Sequence, residues 1–128
     1  YVWKKNPIAS ESSVSLQELE KYPCLTFDQG KTNSFYFAEE VFSTYEYKQT
    51  IQVDDRASIL NLMVGLNGYT LCSGIICEEL NGSDYAAVPL KETEVMTIGY
   101  VKRKSIQLSE LAQLYVNELA KYKKLVLK

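Results

Sequence analysis

Gln49-Thr-Ile-Gln-Val-Asp-Asp-Arg-Ala-Ser-Ile-Leu-Asn-Leu-Met-Val-Gly-Leu-Asn-Gly-Tyr-Thr-Leu-Cys72 reads as a strand, a capped helix and a second strand in succession. Thr50, Ile51 and Val53 are β-branched, so residues 49–53 read as a strand. Asp54 or Asp55 then supplies a side-chain oxygen to cap a helix. Ile59, Leu62, Met63 and Leu66 recur at three- and four-residue spacing, which gives that helix one apolar face. Asn67-Gly68 ends it, with Gly68 expected as the left-handed C-cap. Residues 69–72 resume as a strand. Strand, helix, strand is the unit from which a parallel sheet is built.

The flanks repeat the alternation. On the N-terminal side, residues 1–5 look extended, Pro7 breaks them, and Ser10 to Ser13 form a polar turn. Ser15, with Glu18 three residues on, has the spacing of a capping box and predicts a short helix over 15–20. Cys24-Leu-Thr-Phe27 reads as a buried strand. Asp28-Gln29-Gly30 turns, and Thr32, Asn33 or Ser34 caps a helix over about 35–43 with Phe35, Ala38 and Phe42 on one face. On the C-terminal side, Ser73-Gly74 is expected to open a short helix reaching about Leu80, and residues 81–84 form a turn. Residues 85–88 make a fourth strand ended by Pro89, and residues 94–102 a fifth. Ser109 caps a last helix carrying Leu111, Tyr115, Leu119 and Tyr122. The fold class is therefore α/β, a mainly parallel sheet flanked by helices.

Composition removes several functions. Fourteen basic and sixteen acidic residues give a formal charge of −2, so clustered phosphate contacts are not expected and the chain alone is no nucleic-acid binder. The basic tail Lys121, Lys123, Lys124, Lys128 suits a solvated helix end. No apolar run approaches the length of a membrane span. Cys24, Cys72 and Cys77 are an odd set in apolar company, read as reduced, buried thiols of a cytoplasmic protein. There is no histidine, no CxxC, no GxSxG, no phosphate loop and no metal-spaced cysteine set. Glu39-Glu40 and Glu78-Glu79 are helix neighbours that point about 100° apart, so neither pair converges on a substrate. Catalytic residues, metal and cofactor are accordingly expected to be none. Tyr1-Val2-Trp3 reads like the middle of a strand, which predicts a longer parent chain.

A ligand site follows from sheet geometry. In open parallel sheets ligands bind beyond the carboxyl ends of the strands, where helix N-termini point. Three strand ends run into helix starts here: Asp28-Gln29-Gly30 into Thr32-Asn33-Ser34, Val53 into Asp54-Asp55, and Cys72 into Ser73-Gly74. Free amides at such ends favour an anion, and Gln29, Thr32, Asn33, Ser34 and Ser73 add neutral donors. Gly30 and Gly74 allow close backbone approach. Thr32, Asn33, Ser34, Asp54 and Asp55 each have a competing role as helix caps. The two aspartates oppose a bound anion unless the ligand also carries an amine, so the expected effector is an amino acid or derivative, or an inorganic anion.

Several passages, in order, have a family likeness. Lys5-Asn-Pro-Ile-Ala9, Val14-Ser-Leu-Gln-Glu-Leu19 with Tyr22-Pro23, Val53-Asp-Asp55 with Ile59 and Met63, Gly68-Tyr-Thr-Leu71, Ala87-Val-Pro-Leu90, Thr97-Ile-Gly-Tyr-Val-Lys102 and Leu108-Ser-Glu-Leu-Ala112 resemble the effector-binding domain of LysR-type transcriptional regulators over nearly the whole chain. Asn6 stands where histidine is usual, which reads as harmless in a surface turn. Leu66-Asn67-Gly68 replaces a commoner Gly-Leu-Gly, and Ser73-Gly74 a usual proline. The resemblance implies a three-layer, periplasmic-binding-protein-like (Rossmann-like) lobe. Residues 1–9 would be a first crossing strand, 10–96 the second lobe, and 97–128 the return strand and C-terminal helix. The DNA-binding domain and most of the first lobe would lie outside this sequence. It also implies a small effector held between lobes, DNA contact only through that outside domain, a homo-oligomer and no membrane. The rival readings are a fragment of an extracytoplasmic solute-binding protein and a small flavodoxin-like cofactor binder. An isolated lobe would expose an apolar face, with Val2, Trp3 and Tyr100 expected on it.

Overall fold

The computed structural model describes residues 1–28, 45–75, 77–93 and 99–122. The chain divides into two units, Tyr1–Met96 and Thr97–Lys128.

In the first unit, β1 (Val2–Trp3) is followed by a 3₁₀ turn (Pro7–Ser10), α1 (Leu16–Leu19), β2 (Cys24–Phe27), β3 (Thr50–Val53), α2 (Arg56–Leu66), α3 (Glu78–Asn81) and β4 (Tyr85–Ala86). β2 and β3 pair in parallel, with Cys24 opposite Thr50 and Phe27 opposite Val53. β1 and β4 pair antiparallel, with Val2 opposite Ala86 and Trp3 opposite Tyr85. Tyr69 lies between the two ladders, bridged in parallel to Cys24 and antiparallel to Val2. The described strands are therefore mixed rather than mainly parallel. Helical crossovers enforce a parallel partner only for the strands they connect. β1 and β4 lie far apart in sequence and are free to meet head to tail.

The strand expected over 69–72 shrinks to one bridging residue. The Leu25 amide donates to Tyr69 O at 2.8 Å and the Tyr69 amide to Pro23 O at 3.0 Å, while the Thr70 amide reaches Tyr1 O at 3.1 Å. Gly68 is what admits this approach. A Cβ built there would lie 2.9 Å from Pro23 O and 3.2 Å from the Leu25 side chain. The left-handed C-cap expected at Gly68 is instead Asn67, at φ 54° and ψ 34°. Asparagine tolerates that conformation, and glycine is used for closeness.

Two apolar clusters hold the first unit. One joins Val2, Ile8, Val14, Leu16, Leu19, Cys24 and Tyr69. The other joins Leu25, Ile59 and Met63, with Phe27, Ile51, Val53 and Leu62 packed on it. Leu25 and Met63 are fully enclosed, and each such burial stabilises by about 1.5–3 kcal/mol. Val2 belongs to the core rather than to an exposed face, whereas Tyr100 is 55% exposed. Leu66, at the last helical residue, is exposed although it shares the spacing of Ile59 and Met63. Cys24 is buried, but Cys72 is exposed and Cys77 half-buried, and none of the three is in a disulfide.

Asn6 also departs from expectation. It is the single buried polar residue among those described. Its Oδ1 accepts from the Ile8 amide at 2.9 Å and its Nδ2 donates to Asn67 O at 2.9 Å. An amide can donate and accept at once, so Asn6 ties the 3₁₀ turn to the end of α2.

The capping box of α1 is present: Ser15 accepts from the Glu18 amide and Glu18 accepts from the Ser15 amide. Lys91 joins it, 2.8 Å from Glu18 Oε2. The short helix expected from Ser73 begins at Glu78, with Cys77 at the cap position and no side-chain cap bond. Gly74 is at φ +80°, outside the helical region, so the helix cannot start there. Residues 99–102 form no strand, residues 94–98 of the expected fifth strand lie outside the described residues, and so does the helix expected over 35–43.

The second unit holds α4 (Glu110–Tyr122). Ser109 Oγ accepts from the Ala112 amide at 3.3 Å, as the cap reading requires. Leu111, Tyr115 and Leu119 are exposed.

Two outcomes test this account. Gly68→Ala should lower stability by roughly 1–3 kcal/mol in urea unfolding, because the methyl must displace a backbone carbonyl rather than a flexible side chain. The Glu18 carboxyl is lowered to about 2, first by the Lys91 ion pair and then by the Ser15 bonds. A depressed carboxylate contributes stability above its unfolded pKa and loses it as pH falls through the folded value. The Tm difference between wild type and Glu18→Gln should hold above about pH 5 and vanish between about pH 4.5 and 2.

Candidate functional site

The parallel register sets two chain ends side by side. Phe27 and Val53 are partners, and one step further the Asp28 amide donates to Val53 O at 2.7 Å. Asp28 and Asp54 therefore leave the sheet together at its carboxyl edge. α2 starts two residues after Asp54, so its first turn stands over the same edge.

Asp55, not Asp54, is the cap. Its carboxylate accepts from the Ala57 amide at 3.3 Å, the Ser58 amide at 2.9 Å and the Ser58 hydroxyl at 2.8 Å. The Ser58 hydroxyl bond, followed by the two amides, holds the Asp55 carboxyl below its usual range. Two of the orphan donors at this helix start are thus taken by the protein's own charge.

Beside the cap lies a depression of about 440 Å³ lined by Asp28, Gln52, Val53, Asp54, Ser58 and Leu62. Val53 and Leu62 supply apolar walls that continue the Leu25–Met63 cluster. The other four supply polar groups. The Arg56 guanidinium rests over the Phe27 ring, 5.1 Å from its centroid, and is not part of the lining.

Of the residues expected at a site, the structure brings Asp28 and Asp54 together here. Ser73 and Gly74 are exposed and do not line this depression. Ser73 Oγ accepts from the Ile75 amide at 3.4 Å, a local turn contact. Gln29, Gly30, Thr32, Asn33 and Ser34 lie outside the described residues. Gln52, Ser58 and Leu62 were not anticipated. Ser58 stands three residues after its cap, a spacing that places it on the first turn facing Asp55, so that signal was in the sequence. Gln52 carried none, because a polar residue in a strand reads as solvent-facing.

The cap assignment has a direct check. Asp55→Ala should lower the thermal midpoint, whereas Asp55→Asn, which keeps an acceptor oxygen, should stay near wild type. Asp54→Ala should leave the midpoint nearly unchanged.

Comparison with known proteins agrees with the sequence reading. No curated protein and no solved structure matches the chain. The family model described as the LysR substrate binding domain matches residues 2–124. With that match spanning almost its whole length, the chain belongs to the LysR substrate-binding domain family, the effector-binding part of LysR-type transcriptional regulators.

Proposed function

We propose that this chain is the ligand-sensing domain of a cytoplasmic LysR-type regulator, binding a small polar metabolite in a cleft between two lobes to control DNA-dependent transcription. The family match over residues 2–124 carries this reading, and the depression at the carboxyl edge of β2 and β3 supports it. Polar groups on an apolar floor at a strand end are the ordinary composition of a small-molecule site. In this reading the chain supplies the second lobe, residues 10–96, of a three-layer α/β architecture, with 1–9 as a crossing strand and 97–128 as return strand and C-terminal helix. The ligand-facing set is Asp28, Gln29, Gly30, Thr32, Asn33, Ser34, Asp54, Ser73 and Gly74, joined by Gln52 and Ser58. The regulator works as a homo-oligomer. Ligand binding changes transcription because the effector has different affinities for two lobe arrangements, and only that difference shifts their populations.

The reading is checked by thermal unfolding of the purified chain. The probes are a mixture of the common amino acids, a mixture of small dicarboxylates, and sodium sulfate. A ligand at a hundred times its Kd stabilises by about 2.7 kcal/mol, which raises the midpoint by several degrees. The rise should shrink when Gln52 and Ser58 are both replaced by alanine. No rise with any of the three probes, or a rise indifferent to that double substitution, would count against a site at this edge.

A further inference from the structure

Leu-Asn-Gly occurs twice, at Leu66-Asn67-Gly68 and at Leu80-Asn81-Gly82, and each copy closes a helix, α2 and α3. Asparagine is among the thermally labile residues, and a glycine after it leaves the following amide nitrogen unshielded by any Cβ. That nitrogen, once it gives its proton to solvent base, attacks the asparagine Cγ. A C–N bond closes a succinimide ring and the side-chain nitrogen departs as ammonia. Water then opens the ring at either carbonyl, leaving aspartate or, with the backbone rerouted through Cβ and Cγ, isoaspartate. Closure requires the peptide plane between the two residues to turn about the asparagine Cα–C bond. Whatever holds that plane sets the rate.

At Asn67–Gly68 both polar ends of the plane are held. The Asn67 carbonyl accepts from Asn6 Nδ2 at 2.9 Å, and the Gly68 amide donates to Met63 O at 3.2 Å. Gly68 is buried, and Pro23 O stands 2.9 Å from where a Cβ would lie. The next amide, of Tyr69, is tied to Pro23 O at 3.0 Å. Asn67 Oδ1 is enclosed as well. Turning this plane breaks the join between the two ladders.

At Asn81–Gly82 the same tripeptide stands in the open. Gly82, Ser83 and Asp84 are exposed, and Leu80 is 84% exposed. Among the described residues, nothing lies within 4 Å of a Cβ placed on Gly82. The Gly82 amide donates to Glu78 O at 2.8 Å, but that bond belongs to a helix of four residues with no side-chain cap bond at Cys77. A single helical turn is marginal by itself. Its last bond opens at lower cost than a buried join.

We infer that Asn81 is a site of spontaneous deamidation and isomerisation in the folded protein, and that the fold protects Asn67. The product places a new carboxylate at the carboxyl end of α3, where the helix dipole disfavours it. Glu78 and Glu79 already occupy the first turn of this helix. Isoaspartate also adds a methylene to the backbone of the turn that leads into β4, just ahead of Asp84, whose carbonyl receives the Lys4 amide at 2.8 Å. Modification therefore loosens the connection from α3 to β4 and leaves the Tyr69 join intact.

Ageing the full chain in mildly alkaline buffer, once folded and once in concentrated urea, tests this. Peptides carrying each asparagine are separated and identified by mass spectrometry. In the folded chain Asn81 should convert about tenfold faster than Asn67 or more, because a buried plane is seldom open. In urea the two should convert at comparable rates, since the tripeptides are the same. The inference falls if Asn67 keeps pace with Asn81 in the folded chain, or if neither converts until urea is added. It falls too if the gap is as wide in urea as in the fold, for then the following residues, Tyr69 and Ser83, set the rates.

Discussion

Tyr69 places its backbone between two ladders of opposite sense. Its carbonyl takes the Leu25 amide and its own amide reaches Pro23 O, so one edge continues the parallel pair β2–β3. Its other edge bridges Val2, and the Thr70 amide reaches Tyr1 O, which continues the antiparallel pair β1–β4. A buried backbone group without such a partner costs as much as a lost hydrogen bond. The first unit therefore depends on the chain passing Pro23 at a distance only glycine permits, at Gly68. Burial drives the Tyr69 phenol well above its usual range, the buried Cys24 beside it adding to the shift, so the ring stays neutral in the core.

Asn67 and Asn6 serve the same join. Asn67 takes the left-handed turn that ends α2, its amide and that of Gly68 both reaching Met63 O. Asn6 then grips the Asn67 carbonyl from the N-terminal segment. In this way the end of α2 distant from the depression is tied down by buried hydrogen bonds, while its other end is fixed by Asp55. A helix secured at both ends holds Ser58 and Leu62 at set positions over the strand edge. That rigidity fixes the groups that line the depression relative to one another.

Charge distribution separates the capping acid from the acids that line the depression. Asp54 and Asp55 are adjacent in sequence and equal in chemistry. One turns inward to its own helix amides and the other lines the depression. The extended backbone of Asp55, φ −134° and ψ 129°, is what aims its carboxylate at the helix start. Capping by a carboxylate rather than a hydroxyl also leaves the helix end unattractive to a second anion.

Much of the local structure was legible in the chain. The Ser15–Glu18 box, the Ser109 cap, the β3–α2 unit and its Ile59 and Met63 contacts all follow from short-range spacing, because caps and helix faces are decided within one or two turns. The family was legible as well, since ordered short motifs survive without any coordinates. Direction and partnership were not. No local pattern states that Val2 pairs antiparallel to Ala86, that Asn6 is buried rather than in a surface turn, or that Gly68 is needed for a neighbour forty-odd residues earlier and not for its own φ. The choice between Asp54 and Asp55 likewise waited on backbone angles. Sequence sets what each segment prefers by itself; which segments lie against one another is settled only when long-range hydrogen bonds and core contacts are satisfied together.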